Sequence, residues 1–317
     1  MTLRPHAVRM AARCAGLCLA LLAATAGAAE AGARAAQAPR TSTSAACEAD
    51  AVAAIPPRAA AASPGSAVAQ RAAQLSGVSR DALIRGELLA GNIPQFLRHP
   101  VPVRIAGGDR THPLELTLCV LPDYLAVGSD RDFIFVPLGL EAALAVAQRF
   151  GFELPTPHMV DAIYAAAPVK LAPLPLPPGE EMRSTAYLVE HSQLIGEQRA
   201  ALSAPLGELT AGDKKDLVLT SRLWTNPGRV AIYGWHRGVG APIQPLSTVH
   251  GARYADYSHG VRLVSDTAYL NGVPRSLREL LAEAGPARLL TGEGPWPQLA
   301  QRLAALRDLL TARAAPR

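Results

Sequence analysis

Apolar residues in this chain follow two spacings, one typical of strands and one typical of helices. Alternation of apolar and polar positions predicts strands over residues 101–105 and 114–121, joined by a turn at Gly107-Gly108-Asp109. A second hairpin is predicted from residues 124–127 and 132–136, with a polar tip between them. Further strands are predicted over 217–220, 229–233 and within 254–264.

Helical spacing with recognisable end signals predicts helices over residues 79–89, 140–150, 157–166, 188–202, 276–283 and 299–312. The clearest start is Thr156-Pro157, because threonine caps a helix through its hydroxyl and proline suits the first helical position. Strands and helices do not alternate regularly. The sequence therefore predicts an α+β fold, with mixed or antiparallel sheets and flanking helices.

Composition divides the chain into four predicted regions. Residues 1–28 are predicted to be a signal peptide, because three arginines precede a short apolar run that ends in Ala26-Gly27-Ala28. Residues 29–65 are rich in alanine and proline and are predicted to be a disordered linker. The proline-rich stretch near 170–179 predicts a boundary between an N-terminal α+β subdomain, 66–178, and a C-terminal α+β region, 179–317.

These regions predict a secreted or periplasmic protein that is not stably inserted in a membrane after cleavage of the signal. Cys47 and Cys119 remain in the mature chain, and the sequence leaves open whether they pair or whether Cys119 is simply buried in a strand. The formal net charge is +5, but the chain has no basic block, so a nucleic-acid partner is not expected.

The densest group of reactive side chains lies in the predicted C-terminal region. His250-Gly251 and Ser258-His259-Gly260 enclose Asp256, in a chain with only 5% aromatic and 18% charged residues. Imidazole is the side chain best matched to proton transfer near neutral pH, and a carboxylate can fix its tautomer. We therefore predict His259, His250, Asp256 and Ser258 as catalytic residues.

The same string resembles the signature of the L,D-transpeptidases, which cross-link peptidoglycan. That signature has an upstream His followed by Ser/Thr-His-Gly-Cys, a hydrophobic residue and Arg or Asn. His250-Gly251, Ser258-His259-Gly260 and Arg262 are similar to it, whereas Val261 stands at the position of the family's Cys. The resemblance covers residues 250–263 and implies a cell-wall substrate.

Together these features predict an exported hydrolase or transferase that acts at an amide or ester bond of a cell-envelope or extracellular polymer, with peptidoglycan as the first candidate. His259 or His250 would be the general base, Asp256 would orient it, and Ser258 or a water molecule would attack. The predicted substrate-binding residues are Lys215, Arg253, Arg262, Tyr257, Trp235 and His236.

Two other functions and a metal site remain open. The chain could be a polysaccharide lyase that uses Tyr and His, or an exported binding or structural protein without catalysis. No cofactor is expected, although His236, His250, His259 and Asp256 are a possible zinc set. Asp213-Lys214-Lys215-Asp216 is predicted to be a solvated turn, and Glu190-His191 is predicted to lie on a helix surface.

Overall fold

The chain folds around a five-stranded sheet and a four-stranded sheet, both flanked by helices. The computed structural model describes Cys47 and residues 53–312. The helices are α1 (Gly65–Ala72), α2 (Gly77–Leu89), α3 (Leu140–Phe150), α4 (Pro157–Ala166), α5 (Thr185–Ala201), α6 (Arg222–Thr225), α7 (Leu277–Ala282), α8 (Ala284–Leu290) and α9 (Leu299–Ala312), with 3₁₀ turns at Gln95–Arg98 and Glu180–Arg183.

The strands are short, and most of them pair with antiparallel neighbours. They are β1 (Val101–Gly108), β2 (Pro113–Val120), β3 (Ala126–Ser129), β4 (Asp132–Phe135), β5 (Phe152–Glu153), β6 (Val169–Lys170), β7 (Thr210–Ala211), β8 (Lys215–Leu217), β9 (Ile232–His236), β10 (Pro242–Ser247), β11 (His259–Gly260), β12 (Val264–Leu270) and β13 (Val273–Ser276). The α+β class predicted from the sequence is confirmed.

The two larger sheets differ in strand order, and the second carries the candidate site. The first has the order β1-β2-β12-β13, with β5 also paired to β12. The second has the order β10-β9-β8-β11, in which β8 and β11 are parallel and the other pairs are antiparallel. The second sheet carries the candidate site, since Lys215, His236 and His259 all lie on its strands.

Local signals account for several element ends. The Thr156 hydroxyl accepts a hydrogen bond from the backbone nitrogen of Met159, as expected of a helix cap. Gly151 ends α3 in the left-handed conformation (φ 74°), which a residue without Cβ adopts at little cost. These two residues fix the turn between α3, β5 and α4.

The predicted boundary near residues 170–179 does not separate two folding regions. Strand β12, from the predicted C-terminal region, pairs with β2 from the predicted N-terminal one, so that Val264 lies opposite Val120. One hydrophobic cluster includes side chains from both regions, among them Leu97, Val120, Leu217 and Leu263. All described residues belong to one compact unit, Thr41–Arg317.

The described end of the predicted linker packs on the domain and is not disordered. Ile55 is buried in the main cluster. Arg58 donates from Nε to Asn92 Oδ1 and to the Gly128 carbonyl, both at 2.9 Å. The composition did not predict this packing, because one buried apolar residue and one arginine are enough to hold the segment on the domain. The predicted signal peptide lies outside the described residues, as do residues 29–46 and 48–52.

A disulfide joins Cys47 to Cys119 on β2, which answers the question that the sequence left open. Both cysteines are buried beside Tyr269. Disulfides persist mainly in oxidising compartments, and the bridge is compatible with such a compartment. Within residues 53–312, no helix combines the length and apolar character needed to cross a bilayer.

Candidate active site

The parallel pairing of β8 with β11 brings together two of the predicted site residues. His259 lies opposite Lys215, and Lys215 lies opposite Gly234 on β9. His259 and Lys215 are therefore neighbours across adjacent strands, although they are far apart in the sequence. The turn that precedes β11 supplies the rest of the cluster, Tyr254 and Asp256.

Asp256 is the most heavily hydrogen-bonded side chain of the cluster. Its Oδ1 accepts from Ser258 Oγ at 2.6 Å and from the Ser258 backbone nitrogen at 2.8 Å, and its Oδ2 accepts from Tyr254 Oη at 3.1 Å. Burial raises the pKa of this carboxyl, but His259, Ser258 and Lys215 together outweigh burial, so the net pKa is lowered. Asp256 is therefore a carboxylate near neutral pH.

His259 is buried and has an unusual lack of partners. Its Nε2 lies 3.8 Å from Asp256 Oδ2, beyond hydrogen-bond distance. Neither ring nitrogen has a hydrogen-bond partner among the described residues. Burial lowers the pKa of His259 to about 4 against the opposing effect of Asp256. The imidazole is thus neutral at pH 7 and able to accept a proton.

Two aromatic rings lie next to this imidazole. His250 stacks on Tyr254 with ring centroids 4.0 Å apart and an interplanar angle of 9°. The centroid of His259 lies 6.4 Å from that of His250 and 5.7 Å from that of Tyr254. His250 is only half-buried, so the stacked pair separates His259 from solvent.

Lys215 is the basic group closest to the cluster on the same sheet. Its Nζ lies 4.7 Å from the ring centroid of Trp235. Burial lowers the pKa of the Lys215 ammonium, and the electrostatic influence of Asp256 raises it. The site thus combines a carboxylate, a neutral imidazole and a cation, which is a composition suited to acid–base chemistry.

Several predicted substrate-binding residues lie elsewhere or face inward. Arg262 is buried and donates to the carbonyls of Leu121 and Thr210. Its guanidinium also lies 4.1 Å from the ring centroid of Tyr124. Tyr257 is buried and its hydroxyl contacts the backbone of Leu176. These two predicted binding residues support the fold behind the site.

His236 belongs to a separate polar group. Its Nε2 lies 2.9 Å from Asp161 Oδ1, and its ring stacks on Tyr164 at 4.6 Å. The Tyr233 hydroxyl donates to the same Asp161 carboxylate. Across residues 53–312 no group of three or more His, Cys, Asp or Glu side chains is arranged to hold a metal ion.

Arg253 is exposed on the rim of a cleft next to the site. The cleft has a volume of about 310 Å³ and is lined by Glu141, Gly228, Gly251, Ala252, Arg253 and Leu310. A smaller neighbouring cleft also contains Arg253. Neither cleft is lined by Asp256 or His259.

Sequence reasoning missed a second lysine behind the site. Lys214 is buried, and its Nζ donates to the Tyr257 carbonyl at 2.7 Å and lies 2.9 Å from His191 Nδ1. Burial lowers the pKa of Lys214 to about 8, and burial together with Lys214 lowers the pKa of His191 to about 2. The predicted solvated turn and the predicted surface position of His191 are both wrong.

A compositional signal for these lysines was present in the sequence. The chain has three lysines against 28 arginines, and two of the three are Lys214 and Lys215. An arginine remains charged at all ordinary pH values, whereas a buried lysine shifts its pKa readily. Two adjacent lysines in an arginine-rich chain are therefore a compositional signal that could have singled out this position.

Charges behind the sheet are balanced one to one. Three buried carboxylates and three buried cations form one network, namely Asp123, Asp213, Asp216, Arg199, Lys214 and Arg262. Asp123 accepts from Arg199 at 2.5 Å, and Asp216 accepts from the Tyr124 hydroxyl at 2.9 Å. Both carboxylate oxygens of Asp213 lack a described hydrogen-bond partner. Burial raises the pKa of all three acids.

No family model, curated protein or solved structure matches this chain.

Proposed function

We propose that this protein is an exported enzyme that hydrolyses, or transfers an acyl group at, an amide or ester bond of a cell-envelope or extracellular polymer, with peptidoglycan as the first candidate. The observation that supports it best is the state of His259: a neutral, unpartnered imidazole beside the Asp256 carboxylate. A neutral imidazole with a free nitrogen can accept a proton, and its pKa of about 4 makes it a weak base whose imidazolium readily passes the proton to a leaving group.

The hydrogen bonds favour water as the attacking group. The Ser258 hydroxyl already donates to Asp256, so its hydrogen is not available to His259. In the proposed step the His259 Nδ1 atom removes a proton from water while the water oxygen attacks the carbonyl carbon. Asp256 lies beside Nε2 and stabilises the His259 imidazolium. The imidazolium then gives the proton to the leaving amine or alcohol.

Export is proposed on two grounds. The first 28 residues have the order of a secretory signal, and the Cys47–Cys119 bridge is compatible with an oxidising compartment. Recovery of a periplasmic or secreted form that begins near Ala29 supports export, and recovery of the cytoplasmic full-length chain alone contradicts it.

The lyase alternative is less favoured by the geometry. The Tyr254 hydroxyl donates to Asp256, and burial together with that carboxylate raises the pKa of Tyr254 to about 12. A tyrosine that must act as a base is served by a lowered pKa, which is the opposite direction.

The decisive experiment compares His259→Ala with His112→Ala, since His112 is strongly exposed. The mature protein is incubated with purified peptidoglycan and with a panel of acyl esters and amides, and released products are identified by mass spectrometry. We expect His259→Ala to lower the rate by about 10²-fold or more, the typical contribution of a general base, and His112→Ala to leave it unchanged. Equal activity in both variants, or no turnover by the wild type on any substrate, contradicts the proposal.

A further inference from the structure

Lys215 differs from Lys214 and Arg80, the other cations around Asp256, because no hydrogen bond within the described part of the chain holds its charged group. Lys214 donates to the Tyr257 carbonyl and contacts His191, and Arg80 donates to the carbonyls of Arg183 and Ala255. Among the described residues, Lys215 Nζ makes no hydrogen bond and no ion pair within 4 Å, although it is held over the Trp235 ring.

Trp235 holds this position in a conformation that few residues adopt. Its φ angle is 54°, in the left-handed region, and it follows Gly234, whose φ is also positive at 106°. A residue other than glycine is strained in this region and is retained where the surroundings enforce it. Here the Trp235 Nε1 donates to the Asp213 carbonyl at 3.0 Å, and the backbone nitrogen donates to Lys214.

The strained turn has a specific result, which is the placement of an indole face under the Lys215 ammonium. A cation over an indole is stabilised without consuming its N–H donors. Lys215 lies opposite His259 on the adjacent strand. Neither ring nitrogen of His259 has a hydrogen-bond partner among the described residues. An anion bound at Lys215 is therefore next to the proposed base.

We propose that the substrate carries a carboxylate next to the bond that is cleaved, and that Lys215, positioned by Trp235, binds it; this inference rests on the function proposed above. Lys214 and Arg80 also interact with other carboxylates, Asp213 and Asp81, whereas Asp256 is the one carboxylate among the described residues that influences Lys215. An ammonium with no ion pair within 4 Å in this part of the chain attracts an anionic ligand. Trp235 is thus a positioning residue, and its indole is not the binding surface.

The test uses the mature protein labelled with [13C]lysine, whose three lysines give few side-chain signals to assign. The probe is N-acetylglycine, and N-acetylglycinamide is the matched ligand without the carboxylate. We expect a saturable shift of the Lys215 signal with the first ligand alone. Equal binding of both ligands, or no saturable shift, overturns the inference.

Variants separate the two residues. Lys215→Met should weaken N-acetylglycine binding by at least about tenfold, the loss expected for a charge-assisted hydrogen bond, whereas Lys170→Met, at an exposed lysine, should not. Trp235→Leu should weaken binding by about 2- to 30-fold through loss of the indole face, and Trp235→Phe should retain most of the affinity. A folded Trp235→Leu protein that binds N-acetylglycine as tightly as the wild type refutes the positioning role. If Trp235→Leu does not fold, the affinities of Trp235→Phe, Lys215→Met and Lys170→Met for N-acetylglycine decide instead.

Failure of this inference is distinguishable from failure of the proposed function. Carboxylate binding at Lys215 without hydrolysis of any substrate leaves a binding protein and removes the enzymatic proposal. Hydrolysis with equal kcat/KM for substrates with and without the carboxylate leaves the enzyme and removes the carboxylate requirement.

Discussion

The Ser258 hydroxyl donates to Asp256 Oδ1 at 2.6 Å, and this bond decides between two mechanisms. A nucleophilic serine needs its hydrogen directed at a base, whereas here the carboxylate holds it. In the mechanism proposed above, Ser258 therefore orients Asp256 and water attacks.

The first prediction concerns Ser258→Ala. If water attacks, activity should remain within about tenfold of wild type, whereas loss of a nucleophile typically costs on the order of 10⁴-fold or more. Stability should fall by about 1–3 kcal/mol, because the change removes a hydrogen bond to a buried carboxylate. Urea unfolding and single-turnover rates measure the two effects, and a rate loss as large as that of His259→Ala would reinstate the serine mechanism.

The second prediction is a pH dependence of stability that comes from His259. Its pKa is about 4 in the folded protein against an ordinary value of 6.5, so the unfolded chain binds the proton more readily. The stability that this group contributes is complete above pH 6.5 and is lost as the pH falls towards 4. The wild type should lose up to about 3 kcal/mol over that interval relative to His259→Gln.

Urea unfolding at several pH values tests this, with His112→Gln as a variant that should follow the wild type. The acid limb of the kcat/KM profile should likewise have its midpoint near pH 4 and not near 6.5. Parallel stability curves for the wild type and His259→Gln would show that the imidazole is not buried as described.

The third prediction tests the His250–Tyr254 stack as a cover. His250→Ala should speed modification of His259 by diethyl pyrocarbonate, because the change removes the ring that separates the imidazole from solvent. Mass spectrometry of the modified peptides gives both rates, with exposed His112 as the internal reference. Tyr254→Phe keeps the ring and should leave the rate close to that of the wild type. An unchanged His259 rate in His250→Ala would place the entry route elsewhere.

The fourth prediction concerns the Cys47–Cys119 bridge, which spans 72 residues. Closing a loop of that length limits the unfolded chain and is worth about 4 kcal/mol in the chain-entropy model. The double variant Cys47→Ala, Cys119→Ala should be less stable by about 2–5 kcal/mol, and a reducing agent should destabilise the wild type to a similar extent but leave the variant unchanged. Identical melts with and without reductant would contradict a bridge in the native protein.

Local signals in the sequence predicted much of the fold. The helices at 140–150, 157–166 and 299–312 occur at the predicted bounds, since their apolar spacing and end signals are contained in each segment. The first hairpin also occurs, with both strands close to prediction. The pairing of β2 with β12 was not predictable, because it depends on which distant strand forms hydrogen bonds with the free edge of β2.

The proximity of four predicted catalytic residues was predictable for the same reason. Asp256, Ser258, His259 and His250 are close in sequence, and the structure places them together. Their catalytic role stays a prediction. Lys214 and His191 were misplaced because their burial results from the packing of α5 against the sheet region, which no local pattern encodes. Arg262 was wrongly predicted to bind substrate, because the sequence does not distinguish an arginine that donates to buried backbone carbonyls from one that binds a ligand.

The pairing of Val120 with Val264 has a consequence for how the chain acquires its structure. Strand β2 remains an edge until β12 has emerged, and β12 comes from the last fifth of the chain. Contacts so distant in sequence slow folding, and they leave an unpaired strand exposed to other chains in the meantime. During synthesis, β2 therefore cannot pair with β12, and the site on β8 and β11 cannot form, until nearly the whole polypeptide is present.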